Sequence, residues 1–166
     1  MRKLLVTGLG GFVAGSVLQQ AVQRGTWDVY ALAHREPKAT YEGIKCTTLD
    51  LCDLAHLRRV FESLAPDAVI HTAARADIDY CERHPDEAKR INENVPRELA
   101  RLCRNTGARL VHCSTDTVFD GTKGMYTERD APGPLNVYAQ TKANAEAAVL
   151  DLAPNSVVAR LSLVMG

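Results

Sequence analysis

The glycine-rich run "TGLGGFVAG" (residues 7–15), directly after the apolar stretch "KLLV", constrains this chain more than any other segment. A strand that stops on glycine and gives way at once to the helical pattern "FVAGSVLQQAVQRG" reads as the opening of a βα unit. Two glycine registers compete. G-x-G-x-x-G uses Gly8 and Gly10 and puts Val13 at the third position; G-x-x-G-x-x-[GA] uses Gly8, Gly11 and Ala14. The third position must be small so that helix and strand can approach, and Ala14 therefore favours the second register. Glycines so placed let the backbone approach a pyrophosphate, while the helix N-terminus offers amides and a partial positive charge. The plainer alternative is a turn that only joins strand to helix.

The rest of the chain keeps alternating. "WDVYALA" reads as a second strand, "IKCTTLD" as a third, "DAVIHTAA" as a fourth, "ARLVHCST" as a fifth and "SVVARLSLV" as a sixth. Between them, Asp53 caps a helix with Leu54, Leu57, Phe61 and Leu64 on one face. A long helix from about Pro85 to Asn105 carries Ala88, Ile91, Val95, Leu99 and Leu102 in step. Near-continuous apolar strands separated by helices predict a doubly wound parallel sheet covered on both faces. Such sheets bind ligands beyond the carboxyl ends of their strands. The one long irregular stretch, "FDGTKGMYTERDAPGPL", is expected to be functional or mobile.

Composition removes other classes. With 166 residues the chain can bury roughly 70% of its unfolded surface as one domain. Twenty basic residues balance twenty acidic ones, so no bulk field draws it to nucleic acid or membrane. No apolar run is long enough to span a bilayer, and glycines interrupt the start too early for a signal peptide. Five cysteines at 46, 52, 81, 103 and 113, without a CxxC, read as free thiols in a reducing, cytoplasmic compartment. Cys81, Glu82 and His84 lack a second ligand pair, so no metal site is expected.

The end of the second strand bears on cofactor choice, because an acid there bonds a ribose hydroxyl and an arginine accommodates a 2′-phosphate. Asp28 comes too early. His34 and Arg35 stand in place, with Lys38 near, which leans to NADP; Glu36 keeps NAD as the alternative. Asp50, at the end of the third strand, is placed either to meet an adenine amino group or to turn the chain before Asp53.

The helix "NVYAQTKANAEAAVLDL" aligns Tyr138, Lys142, Ala145 and Val149 on its inward face. A lysine there must be paired or working. A phenol has a pKa near 10, and a fixed ammonium beside it would lower that value, which would suit Tyr138 to acid–base work on a carbonyl/alcohol pair. Ser114, Thr115 and Asp116 follow from the fifth strand at the edge where a ligand should lie.

Tyr-x-x-x-Lys behind a glycine-loop strand, with Ser/Thr ending strand five, resembles the extended short-chain dehydrogenase/reductase superfamily. "STDTVFDGTKG" followed by "PLNVYAQTKANAE", and "RINENVPRELA" before them, are similar to the dTDP-4-dehydrorhamnose reductase family. That resemblance implies a Rossmann sheet of order 3-2-1-4-5-6. It implies an NAD(P)H-dependent reductase of a nucleotide-linked 4-keto-6-deoxy sugar. Thr115 would bond the ketone, Tyr138 would deliver a proton, Lys142 would tune Tyr138 and hold the cofactor ribose, and Asp116 would support them. Asn92 matches the superfamily's helix asparagine. The cofactor-binding candidates are Gly8, Gly11, Phe12, Val13, Arg35, Asp50, Leu51, Ala73, Ala74, Tyr138 and Lys142. A homodimer is the expected assembly. The family continues into a smaller C-terminal substrate domain; no sequence for it follows Gly166, so residues 1–166 are expected to be the dinucleotide-binding domain alone. Two other readings stay open. One is a non-catalytic regulatory subunit, such as that associated with methionine adenosyltransferase. The other is an epimerase or dehydratase, although Thr117 replaces the glutamate that dehydratases use as a base.

Overall fold

In the computed structural model, which describes residues 1–37, 41–162 and 164, six strands form one sheet. They are β1 (Arg2–Thr7), β2 (Trp27–Ala33), β3 (Ile44–Thr48), β4 (Ala68–His71), β5 (Arg109–Thr115) and β6 (Val157–Leu161), in the order β3-β2-β1-β4-β5-β6. Every pairing is parallel. This is the predicted doubly wound α/β architecture, with the order reversing between β1 and β4.

The apolar run of β1 explains why the sheet needs two covers. Leu5 faces a core shared with Leu57, Phe61, Val69, Leu99 and Leu110. Its neighbours Leu4 and Val6 point the other way, to Ala14, Leu18 and Val29. Burying both faces removes large apolar areas from water at roughly 25 cal/mol per Å².

Local signals set most of the helix ends. Helix α1 (Phe12–Arg24) stops at Gly25, whose φ of 63° closes a left-handed cap. Helix α2 (Leu54–Leu64) starts at Asp53, whose carboxylate accepts from the His56 amide at 2.9 Å.

The long helix expected over 85–105 is broken instead. A short α3 (Ile78–Arg83) precedes α4 (Pro85–Lys89), a π-helical turn spans Arg90–Asn94, and α5 (Val95–Thr106) completes the run. Pro96 has no N–H to offer the carbonyl four residues back, and the backbone widens there into the π turn. Two strand ends also differ: β3 stops at Thr48, two residues before Asp50, and β6 is only Val157–Leu161. Helix α6 (Val137–Leu152) carries the Tyr-x-x-x-Lys pair.

The irregular segment after β5 is held in place rather than loose. A 3₁₀ turn at Asp116–Val118 begins it. Phe119 and Tyr126 then stack at 4.3 Å, with Arg160 over one ring and Lys123 over the other.

Candidate active site

The glycine loop lies at the carboxyl end of β1, wedged between β2 and β4. The Gly8 and Leu9 amides both donate to the Leu32 carbonyl at 3.1 Å, and Gly11 closes a turn on Gly8 at 3.0 Å. Gly8 has φ +89°, and a Cβ on it would lie 2.7 Å from Thr72 Oγ1 and 2.9 Å from the Ala73 amide. Only glycine is comfortable there. Gly11 is the extended N-cap of α1, no side chain caps it and no acid stands in the first turn, so the leading amides stay available to an anion. Ala14 is fully buried against the sheet, as the chosen register requires. Gly10 has φ +103° in open space, a conformational demand that the chosen register overlooked.

Below this loop is a cleft of about 660 Å³, a volume in the range of small-molecule sites. Gly8, Gly11, Phe12, Val13, Asp50, Leu51, Ala73 and Ala74, eight of the predicted cofactor contacts, line it. His34, placed by the sequence at the end of the second strand, lines it as well, together with Cys52, Arg75, Glu87, Arg90 and Ile91, which no sequence signal marks as cofactor contacts. Arg35 is exposed and is not among the lining residues, whereas its neighbour His34 is. Lys38 lies outside the described residues. Glu36 accepts from Thr48 Oγ1 at 2.9 Å. Asp50 has both predicted characters: it lines the cleft, and its carboxylate also turns the chain by accepting from the Cys52 amide at 2.9 Å.

Thr115, Tyr138 and Lys142 form a second group at the ends of β5 and α6, outside the cleft lining. Asn136 caps α6 by accepting from the Ala139 amide at 2.8 Å, and Glu82 accepts from the Val137 amide at 2.6 Å. Glu82, considered above as a metal neighbour, is thus an anchor for the first turn of α6. Tyr138 is half-buried, and the Thr115 hydroxyl is near enough to its phenol to favour the ionised form. Thr115 Oγ1 also meets Thr117 Oγ1 at 2.9 Å and Asp116 Oδ1 at 3.4 Å. Asp116 and Thr117 are exposed.

Lys142 is buried at 2% exposure, yet it does not tune Tyr138 as expected. Its Nζ donates to the Cys113 carbonyl at 2.6 Å and lies 3.3 Å from His112 Nε2. Burial lowers its pKa to about 8, against the smaller raising effects of Cys113 and Glu146. The Tyr138 phenol is raised rather than lowered: burial dominates, the nearby Thr115 hydroxyl opposes it, and Cys81 and Asp116 add to it. The i, i+4 spacing puts the two side chains on one face; the low dielectric of that face outweighs any help from the ammonium.

Asn92 joins the two groups. Sitting in the π turn, it accepts from the Arg75 amide at 2.8 Å and donates to the Arg75 carbonyl at 3.0 Å and to Thr141 Oγ1 at 3.3 Å. One buried amide thus ties the cleft wall after β4 to helix α6.

The model of the family described as RmlD substrate binding domain matches residues 1–166. The chain belongs to this family. Among relatives of this RmlD-family chain is methionine adenosyltransferase 2 subunit beta of Bos taurus, 32% identical over 99% of the chain and 48% of the relative. Another is the probable low-salt glycan biosynthesis reductase Agl14 of Haloferax volcanii, 34% identical over 97% of the chain and 53% of the relative. Among solved structures, dTDP-4-dehydrorhamnose reductase from Bacillus anthracis in complex with NADP superposes with a TM-score of 0.81 at 28% identity, over 98% of the chain and 54% of that protein. The chain spans about half the length of the curated relatives it matches. No helix among the described residues is long and apolar enough to cross a membrane.

The glycine loop yields a direct stability test. Gly8→Ala is expected to destabilise the chain by about 1–3 kcal/mol, because the backbone at φ +89° is strained for alanine and the methyl meets Thr72 and Ala73. Chemical denaturation monitored by circular dichroism measures this; an unchanged midpoint would show that the loop relaxes freely.

Proposed function

We propose that residues 1–166 are the dinucleotide-binding and catalytic part of an NADP(H)-dependent reductase acting on a nucleotide-linked 4-keto-6-deoxy sugar, with NAD as the alternative cofactor. The observation that carries this reading is the placement of Tyr138 beside Thr115 at the carboxyl end of β5, joined through Thr141 and Asn92 to the cleft under the glycine loop. The close approach at Gly8, the uncapped N-terminus of α1 and the cleft volume fit a dinucleotide. The NADP complex of the Bacillus anthracis reductase supports the cofactor.

A bound nicotinamide supplies a hydride to the carbonyl carbon. The chain's own groups manage the oxygen. Thr115 bonds and orients it, and Tyr138 gives up its phenolic proton as negative charge develops there. A phenol whose pKa is raised is fully protonated at neutral pH, which is the state a proton donor needs. Lys142 offers a buried donor to the cofactor ribose at the same sheet edge. Asp116, exposed next to Thr115, is available to the substrate side.

Fluorescence titration with NADPH and NADH tests the cofactor assignment. NADPH is expected to bind about tenfold more tightly, a step of about 1.4 kcal/mol; Arg35, exposed after β2 and outside the lining, would have to swing toward a 2′-phosphate to contribute, and Arg35→Ala is then expected to erase most of the difference. Equal affinities for the two nucleotides would remove Arg35 from the site, and no binding of either would remove the proposal.

The methionine adenosyltransferase subunit among the relatives favours a second reading, a dinucleotide-binding subunit that regulates a partner enzyme. Stoichiometric recovery of such a partner, with no turnover of keto sugars, would establish it over the first.

A further inference from the structure

Three adjacent strands place Thr7, His71 and His112 in direct register, Thr7 beside His71 and His71 beside His112. All three are at most 1% exposed. Thr7 Oγ1 lies 2.7 Å from His71 Nδ1, and the two imidazoles stack with centroids 5.4 Å apart and planes at 21°. At the far end of this row, His112 Nε2 faces Lys142 Nζ at 3.3 Å. The remaining nitrogens, His71 Nε2 and His112 Nδ1, are buried without a hydrogen-bond partner among the described residues.

Packing alone does not account for this row. Two imidazoles with unpartnered nitrogens in the middle of a parallel sheet cost free energy that valine or leucine would not. An ammonium can only donate, so Nε2 of His112 must present its lone pair and the proton must sit on Nδ1. Burial and the charge of Lys142 hold His112 well below its ordinary pKa, and the same two influences bring His71 to about 3, so both rings are neutral. A neutral ring with a fixed tautomer is what a buried ammonium needs as an acceptor.

We propose that His112 is the positioning residue of Lys142: its Nε2 lone pair, together with the Cys113 carbonyl, fixes the amine at the carboxyl end of β5, and the Thr7–His71 pair holds the His112 ring in place. The value of this arrangement to the protein rests on the reading of Lys142 as a cofactor-side group, but the coupling of the two side chains does not. The groups that face Lys142 are His112 and Cys113 from β5, His71 from β4 and Glu146 from its own helix. His112 in turn faces His71 and Lys142.

The test follows the Lys142 amine itself, by ¹⁵N NMR through a pH titration of the protein with no nucleotide added. His112→Gln keeps an acceptor oxygen near the place of Nε2; His112→Leu removes it. The Leu variant is expected to lower the Lys142 midpoint by about one pH unit, since the charged form loses an acceptor, while the Gln variant stays near wild type. NADPH affinity at pH 7 is expected to fall about tenfold in the Leu variant and to be restored by Gln. A Leu variant that melts cooperatively with an unmoved midpoint overturns the proposal, as does a Gln variant that behaves like Leu. Should the Leu variant not fold, His112→Asn, whose shorter amide falls short of the amine, is read the same way against Gln. A shifted midpoint in a protein that binds no nucleotide upholds the coupling and defeats the cofactor reading instead.

Discussion

Replacing Tyr138 by phenylalanine is expected to slow ketone reduction by about 10²–10⁴-fold while NADPH affinity stays within about threefold of wild type. The ring is half-buried at the start of α6 with its hydroxyl beside Thr115, so the substitution removes one oxygen and leaves the packing. Burial keeps the phenol above its ordinary value of 10.0, so it remains a proton donor through the neutral range, and the reduction rate should show no loss of this acid below pH 9. Single-turnover NADPH oxidation with a nucleotide-linked 4-keto sugar, beside a fluorescence titration, separates chemistry from binding. Turnover near wild type would mean that the proton comes from elsewhere.

The buried amine of Lys142 predicts an equally large effect on stability. Its pKa falls from 10.5 to about 8 on folding. Below pH 8 the amine is charged in both states, and the folded chain bears the full desolvation penalty. Between pH 8 and 10.5 the unfolded chain binds a proton that the folded chain has released. Stability contributed by this group therefore rises with pH across that window, by about 3 kcal/mol. Urea denaturation of wild type and Lys142→Met at pH 7, 8.5 and 10 isolates it. The wild-type stability should climb relative to the variant as pH rises. Parallel behaviour of the two proteins would show that the folded-state amine titrates normally.

The sequence made much of this molecule readable because its strongest signals are local. A glycine run closing an apolar strand is readable from a few residues, and Asp53 and Gly25 announce helix ends by their own side-chain chemistry or lack of it. The inward stripe of α6 was visible as a period. The π turn was not, since Ala88, Ile91, Val95 and Leu99 keep helical spacing through it and only Pro96 hints at the widening. Nor was the row from Thr7 to Lys142, because a single chain does not display the register of β1, β4 and β5. The behaviour of the Tyr138–Lys142 pair depends on depth below the surface, where desolvation outweighs a neighbouring charge, and spacing carries no information on depth. Arg35 illustrates the converse: the sequence offers both His34 and Arg35 after β2, and which of two neighbouring side chains lines the cleft, here His34, is a matter of backbone direction.

The Asn92 amide gives the cleft wall and the reactive helix a common frame of reference. Engineering that reshapes the loop through Arg75 to admit a different nucleotide will also move Thr141, and with it the helical turn bearing the phenol. Under the proposed function, cofactor preference and the alignment of Tyr138 are for that reason one design variable, and an attempt to tune the first alone must begin on the other side of the cleft, at the end of β2.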